Sequence, residues 1–394
     1  MNRSILDKEV QDYIKANRQL DPGAMAFKKS PFAEVSSSEL ATQIDGWQRA
    51  YKKLPTWAYS PNIYYPDKIN LEQCSSEHTA LVKQSLIRKG CKIVDVTGGF
   101  SVDSCYLAQE AQIVVHCELN EKLSQIVKHN AQQLGVANLV PLHTDGVKFV
   151  QDQEDNSIDY IYIDPSRRVN HAKVFLLEDC EPNIVALQDM FFQKSRYILC
   201  KLSPLMDINS ALQKLKHVKL LYVISLEGDC KELLFLQDRT FEGETKITAI
   251  RLSADQLQNI SFTQQEEKTT LVKTSTPLKY LYDPDVALTK AGAFKSVAKA
   301  FSLFKLHTHT HLYTSDTLES DFLGRIFQIE NVYTLGEFKK LNTLGKANVA
   351  TKNFPIKVDE VRKKFKIKDG GSDFLYFVTD YADNHIVIHC SKIL

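Results

Sequence analysis

Residues 93–104 read IVDVTGGFSVDS. A β-branched apolar run ends in Asp95, two glycines follow, and a helix-forming stretch opens near Val102. Strand, glycine turn and helix in succession open a parallel α/β unit. Gly98 and Gly99 carry no Cβ, so a ligand can approach the backbone and its exposed amides at this turn. The alternative is an ordinary tight turn, and the following strands decide between the two.

From residue 91 strands and helices alternate. CKIVDV is followed by the helix SVDSCYLAQEA, and the strand QIVVHCEL by NEKLSQIVKHNAQQLG. The latter helix puts Leu123, Ile126, Val127, Asn130 and Leu134 on one face and stops at Gly135. NLVPLHTD, IDYIYID and RYILCKLS are strands three to five. VKLLYVISLEG and KELLFLQ read as a hairpin that adds an antiparallel strand at one edge. Repeated β-α units imply a parallel sheet with helices on both faces. The expected fold class is α/β, with a Rossmann-like sheet over residues 88–260.

Residues 1–87 read as a helical region. Leu6, Val10, Tyr13 and Ile14 form one apolar face, and Leu40, Ile44, Trp47, Tyr51 and Leu54 a second. Asn70 to Gln73 resembles a capping box that opens a third helix through CSSEHTALVKQSLI. After residue 260 the polar FTQQEEKTT reads as a linker. Asp283 as N-cap with Pro284 in the first turn opens the helix DPDVALTKAGAFKSVAKAF. HTHTHLYTS follows as a strand, and the tail from about 325 mixes short strands with the basic helix VDEVRKKFK. Two small α+β domains are expected, at 275–323 and 324–394.

Composition narrows the function classes. The chain has 394 residues, 43% of them hydrophobic and 25% charged, with net charge +1. Whole-chain charge therefore predicts no polyanion binding, and any nucleic-acid surface must come from local clustering. The eight cysteines form no CxxC pair, which fits buried free thiols in a reducing compartment. The N-terminal stretch lacks the apolar core of a secretory signal, and no run approaches the ~18 apolar residues of a membrane helix. The expected location is cytoplasmic, with no membrane partner.

Glu118, at the end of the second strand, lies 23 positions after Asp95. That is close to the ~20-residue spacing at which a carboxylate grips ribose hydroxyls. A dinucleotide site would want a third glycine, which is absent here, and Asp103 near the helix N-terminus repels a phosphate. S-adenosylmethionine (SAM) has a ribose and an adenine but no phosphate, and its ammonium suits a carboxylate.

DVTGGFSVDS, the acid of CELN, the acid of HTDG, and YIDPSRR, in that order, resemble the successive motifs of class I SAM-dependent methyltransferases. EQCSSEHTALVK at 72–83 and KANVATKNFPIKVDEVRKKFK at 346–366 are similar to the bacterial group with a C-terminal THUMP-like domain, so the resemblance spans nearly the whole chain. Ser101 stands where that group has glycine, and Thr97 where the wider superfamily often does. The resemblance implies that 275–323 is ferredoxin-like and 324–394 THUMP-like. It implies that Asp95, Gly98 and Gly99 line the methionine moiety, with Thr97, Phe100 and Asp103 in the same cofactor turn. Glu118 would hold the ribose beside Asn120. Asp145 would accept from the adenine amine, with Gly146 beside it. Asp164 and Pro165 would border the transferred methyl.

The strand ending IDPSRR puts an acid where strand four meets the ligand crevice. Base-amine methyltransferases resemble this, with an aromatic residue two positions after the proline; Ser166 and Arg167 follow Pro165 here. Arg167 is a catalytic candidate and Arg168 a substrate candidate, since guanidinium suits phosphate or carboxylate and can stack on a base. Each could instead pair with Glu178 or Asp179. Lys201 and Ser203 end strand five on the same side as candidate substrate contacts. His307, His309 and His311 would share a strand face about 6.6–7 Å apart, but no third ligand pattern supports zinc, and no metal is expected. Residues 339–368 hold ten Lys or Arg against Asp359 and Glu360, a local net of +8. Lys352, Phe354, Arg362 and Lys363 are the RNA-contact candidates there, although a solvated basic helix face would read the same.

The expected function is SAM-dependent methylation of RNA (rRNA or tRNA) by direct transfer. The alternatives are an RNA-binding module that holds SAM without turnover, a protein or small-molecule acceptor, and a nucleotide-dependent oxidoreductase.

Overall fold

The computed structural model describes all residues except 167, 170, 171, 174, 175, 254, 255, 342, 343 and 394. The chain forms two compact units, Met1–Lys219 with Leu234–Glu242, and Leu220–Leu233 with Gly243–Leu394.

In the first unit β1 (Lys92–Asp95), β2 (Ile113–Glu118), β3 (Leu139–His143), β4 (Ile158–Ile163) and β5 (Ser195–Leu202) are all parallel. Their order is β5-β4-β1-β2-β3. The chain runs outward from β1 through β2 to β3, then returns to the other side of β1 with β4. That reversal opens a crevice between the C-terminal ends of β1 and β4, the place where such sheets bind ligands. Tyr160, Ile161, Tyr162 and Ile163 are all buried, as in a parallel sheet covered on both faces. β6 (Val218–Leu226) and β7 (Asp229–Asp238) are joined through Glu227 and Gly228, whose φ values of 52° and 79° suit a two-residue hairpin turn. β7 lies beside β5.

The N-terminal region is helical, its longest helix being Ser37–Lys53, closed by a capping box between Ser36 and Glu39. The third expected helix is two. Lys68–Gln73 stops at Cys74, whose backbone is extended, and Glu77–Gln84 starts afresh with Ser76 capping the Thr79 amide. Ser76, rather than Asn70, is therefore the cap of the helix that reaches the crevice.

In the second unit β8 (Lys246–Leu252) runs parallel to β6, and β9 (Leu257–Thr263) antiparallel to β8. The hairpin is thus not terminal, because β6 gains a further neighbour. The polar segment expected as a linker is ordered: Thr263 and Glu266 form a capping box for the helix Gln264–Thr269. A second sheet comprises β10 (Tyr280–Pro284), β11 (Phe304–Lys305), β12 (Tyr313–Ser315), β13 (Gly324–Thr334), β14 (Asn348–Lys352), β15 (Asp373–Thr379) and β16 (His385–Lys392), in the order β11-β12-β10-β13-β16-β15-β14. Its two apolar clusters centre on Leu281, Phe327, Tyr376 and Ile388, and on Phe338, Val361, Leu375 and Phe377.

Two expectations in this unit are corrected. Asp283 pairs with Arg325 inside the sheet, so Asp285 is the helix cap, accepting from the Ala287 amide at 2.8 Å. The helix it opens ends at Gly292 (φ 77°), and a second, Lys295–Ala300, follows. The HTHTH stretch is a loop, closed by Thr310 N–H to His307 O at 3.2 Å and Leu306 N–H to Leu312 O at 3.1 Å. His311 stacks on Phe294 at 3.6 Å, while His307 lies 3.1 Å from Asp383, so the three rings do not share a strand face.

Candidate active site

Asp95 ends β1 and is only 1% exposed. Its Oδ1 accepts from the amides of Thr97 and Gly98, both at 3.0 Å, and from the Thr97 hydroxyl; its Oδ2 accepts from the Ser104 hydroxyl. The carboxylate thus folds the glycine turn back on the strand. Burial raises its pKa to about 7, against the Ser104 hydroxyl and the two amides.

The turn needs its glycines for different reasons. A Cβ on Gly98 (φ 52°) would stand 2.4 Å from the Cys117 carbonyl oxygen. Gly99 (φ 78°) has open space where its Cβ would be, and its amide donates to Glu118 Oε2 at 2.7 Å. Glu118 Oε1 accepts from the Asn120 amide at 2.7 Å. A carboxylate has about four lone-pair sites, so Glu118 keeps acceptor capacity. Phe100 turns inward, is buried, and packs against Trp57. Asp145 caps the next helix through Oδ1, taking the Val147 amide at 2.9 Å and the Lys148 amide at 3.2 Å. Gly146 has no room for a Cβ, which would meet Val96 O at 2.3 Å.

Beneath the turn lies a charge network that the sequence did not announce. Asp103 is 3.0 Å from Lys83, which has no exposed side-chain surface, and accepts from the Ser75 and Tyr162 hydroxyls at 2.7 Å each. Burial opposes its ionisation, but Lys83, Lys201 and those hydroxyls outweigh burial and hold its pKa at about 2. The only sequence signal for Lys83 is its place on the face of its helix that carries Thr79 and Ala80. Glu77 on the same helix accepts from the Thr56 amide and from the Thr56 and Tyr106 hydroxyls, tying the N-terminal helices to the turn.

Asp164 follows β4 directly, with its side chain 38% exposed. Its amide donates to the Thr97 hydroxyl at 2.8 Å, which ties the ends of β4 and β1 together. Lys201, on β5, donates to Asp164 Oδ2 at 2.5 Å and stands 4.0 Å from Asp103. Lys201 therefore joins the half-exposed acid to the buried network. Asp164 Oδ1 takes no hydrogen bond among the described residues. A carboxylate fixed by a lysine through one oxygen, with the other taking no hydrogen bond from the described residues, can accept a proton or orient an N–H or O–H donor.

Pro165 is buried, and the Ser203 hydroxyl closes the next turn by accepting from the Leu205 amide. Arg167 lies outside the described residues, as does the side chain of Arg168. In the C-terminal domain Lys352 lies 3.1 Å from the buried Asp283, and Arg362 pairs with Asp369. Phe354 packs edge-on against Phe377 at 5.7 Å, so its ring contributes to the core there. Lys363 is exposed.

The residues of the turn fit a phosphate-free nucleoside cofactor. The space over Gly99 is open, and Glu118 keeps acceptor capacity beside it, as a ribose hydroxyl would need.

A ferredoxin-like domain family matches residues 280–322, and a THUMP domain-like family residues 324–392. No curated protein matches the chain. Among solved structures, one described as a methyltransferase from Porphyromonas gingivalis W83 is 32% identical, covers 100% of this chain and 99% of its own, and superposes with a TM-score of 0.86. Two more distant structures align with low scores. TrmK from M. capricolum, solved with S-adenosyl-homocysteine, is 16% identical over 57% of this chain and 86% of its own (TM-score 0.35). An rRNA methylase from Streptococcus thermophilus is 14% identical over 41% and 95% (TM-score 0.30). With a full-length relative at this identity and the C-terminal match in register, the chain belongs to the class I methyltransferase group that carries a THUMP-like domain.

Proposed function

We propose that the protein transfers a methyl group from SAM to RNA, in the cytoplasm, with Asp164 orienting or deprotonating the accepting atom. The observation that carries this reading is the Asp164–Lys201 pair. It sits at the crevice edge, fixed to the β1 turn through Thr97. When bound, SAM supplies an electrophilic methyl on a sulfonium. Glu118 holds the ribose, and Gly98 and Gly99 leave room for the methionine moiety. Asp145, through the oxygen its cap does not use, takes the adenine amine. Asp95 keeps the turn in shape. Asp164 Oδ1 accepts from the incoming nucleophile, while Lys201 fixes the acid's rotamer. The rate gain is chiefly one of proximity and alignment.

RNA is favoured as acceptor by the C-terminal domain. Lys339, Lys340, Lys346, Lys357, Lys363, Lys364, Lys366 and Lys368 are all exposed there, a cationic surface suited to phosphates. The test is transfer of labelled methyl from SAM to total RNA from a strain lacking the gene. Incorporation by wild type and its loss in Asp164→Ala supports the reading. SAM binding without incorporation into RNA moves the acceptor to another class.

A further inference from the structure

The N-terminal helices hold a cavity of about 380 Å³, lined among others by Lys15, Arg18, Trp47, Tyr59, Asn62 and Tyr65. This is within the ~300–1,000 Å³ range of ligand pockets. Arg18 lies over the Trp47 ring, its guanidinium carbon 4.5 Å from the centroid. Among the described residues its guanidinium makes no ion pair and no hydrogen bond, and its Nε is buried without an acceptor. Burial pulls the guanidinium below its ordinary pKa. A half-buried cation with unused donors calls for an explanation, because buried donors are nearly always satisfied. The one acid of the lining does not supply it: Asp12 is taken by Lys8 at 2.6 Å.

Beside Arg18 runs a line of rings. Trp47 is fixed by its Nε1–H to the Ala58 carbonyl at 3.0 Å and packs on Tyr51 at 5.1 Å; Tyr51 packs on Tyr59 at 5.9 Å. Tyr51 is 44% exposed and Tyr59 70%. An unpaired guanidinium next to exposed aromatic faces matches the two demands of a single-stranded nucleotide, a phosphate contact and a stacking platform.

We propose that this cavity takes one nucleotide of a single-stranded RNA, its phosphate on Arg18 and its base against Tyr59. The proposal rests on the RNA reading above. It assigns the N-terminal helices a part in holding the substrate, separate from the C-terminal lysines.

The experiment uses the full chain with a fluorescein-labelled, mixed-sequence single-stranded RNA, read by anisotropy at several salt concentrations. Arg18→Gln removes one phosphate contact and lowers the slope of log K against log salt by about 0.7. Tyr59→Ala weakens binding about tenfold and leaves the slope unchanged. Tyr59 is largely solvent-exposed, so this variant guards against a loss caused by misfolding. Wild-type affinity and slope in both variants overturn the proposal. If wild type still methylates RNA in that case, the RNA reading stands without it. If wild type neither binds nor methylates RNA, both fall.

Discussion

Asp95 and Asp164 stand at the ends of neighbouring parallel strands, yet their surroundings give them opposite work. Asp95 is sealed from solvent, with its oxygens spent on the turn's own amides and hydroxyls. Asp164 is more than a third exposed, held by one lysine, with one oxygen taking no hydrogen bond among the described residues. Position at a strand end therefore does not define a catalytic acid. The two acids differ in how many of their lone pairs the protein already uses. Asp95 is a fixture of the turn, whereas Asp164 keeps an oxygen with no partner among the described residues, which is why the proposed chemistry is given to it.

The largest expected effect comes from the network behind both acids. Lys83→Met takes from the buried Asp103 its nearest cation, leaving only Lys201 at 4.0 Å and the Ser75 and Tyr162 hydroxyls. Removing one partner of a buried pair costs about 3–5 kcal/mol, so thermal unfolding should show a drop of that size. A variant as stable as wild type would mean that Asp103 does not depend on Lys83.

Next comes Asp95→Ala, which strands the Thr97 and Gly98 amides and the Ser104 hydroxyl. Unsatisfied buried groups cost about 1–3 kcal/mol each, so a loss of at least about 2 kcal/mol is expected in urea unfolding, together with weaker SAM binding. Asp95→Asn keeps an acceptor and should cost less. It also isolates a pH effect. The folded pKa of Asp95 is raised to about 7, above its ordinary 3.8. The native state therefore binds more protons than the unfolded chain between those values, and Asp95 lowers stability as pH rises from about 4 to about 7. His116, buried and pulled down to about 4, acts in the opposite sense as pH falls below 6.5. The useful quantity is thus wild type minus Asp95→Asn, which should decline with rising pH across that window. A flat difference would contradict the burial argument.

Much of this was legible. Glycine turn, spacing to Glu118 and alternation of strands and helices gave the sheet and its crevice, because each is set by local chemistry. The Asp164–Lys201 pair was half legible: both residues end strands on one side, but their contact requires β4 and β5 to be adjacent. Lys83–Asp103 was not legible, since it joins a helix to a turn across the fold. Asp283 and Asp285 show the same limit. Either acid of DPD could cap a helix by local rules, and the pairing of β10 with β13 decides for Asp285.

The smallest effect lies at Ser101, where φ is 63°. Glycine adopts this left-handed conformation without a Cβ penalty, so Ser101→Gly should change stability by no more than about 1 kcal/mol, in the stabilising direction. Destabilisation would mean that the Ser101–Cys105 contact at 3.7 Å outweighs the backbone term.

The contrast between the two acids is tested most directly by Asp164→Ala, assayed for SAM binding by calorimetry and for methyl transfer to unmethylated RNA. Folding and SAM affinity should be near wild type, with transfer reduced by about 10²–10⁴-fold. Transfer at the wild-type rate would contradict the account, and Asp164 would be no more than a partner for Lys201.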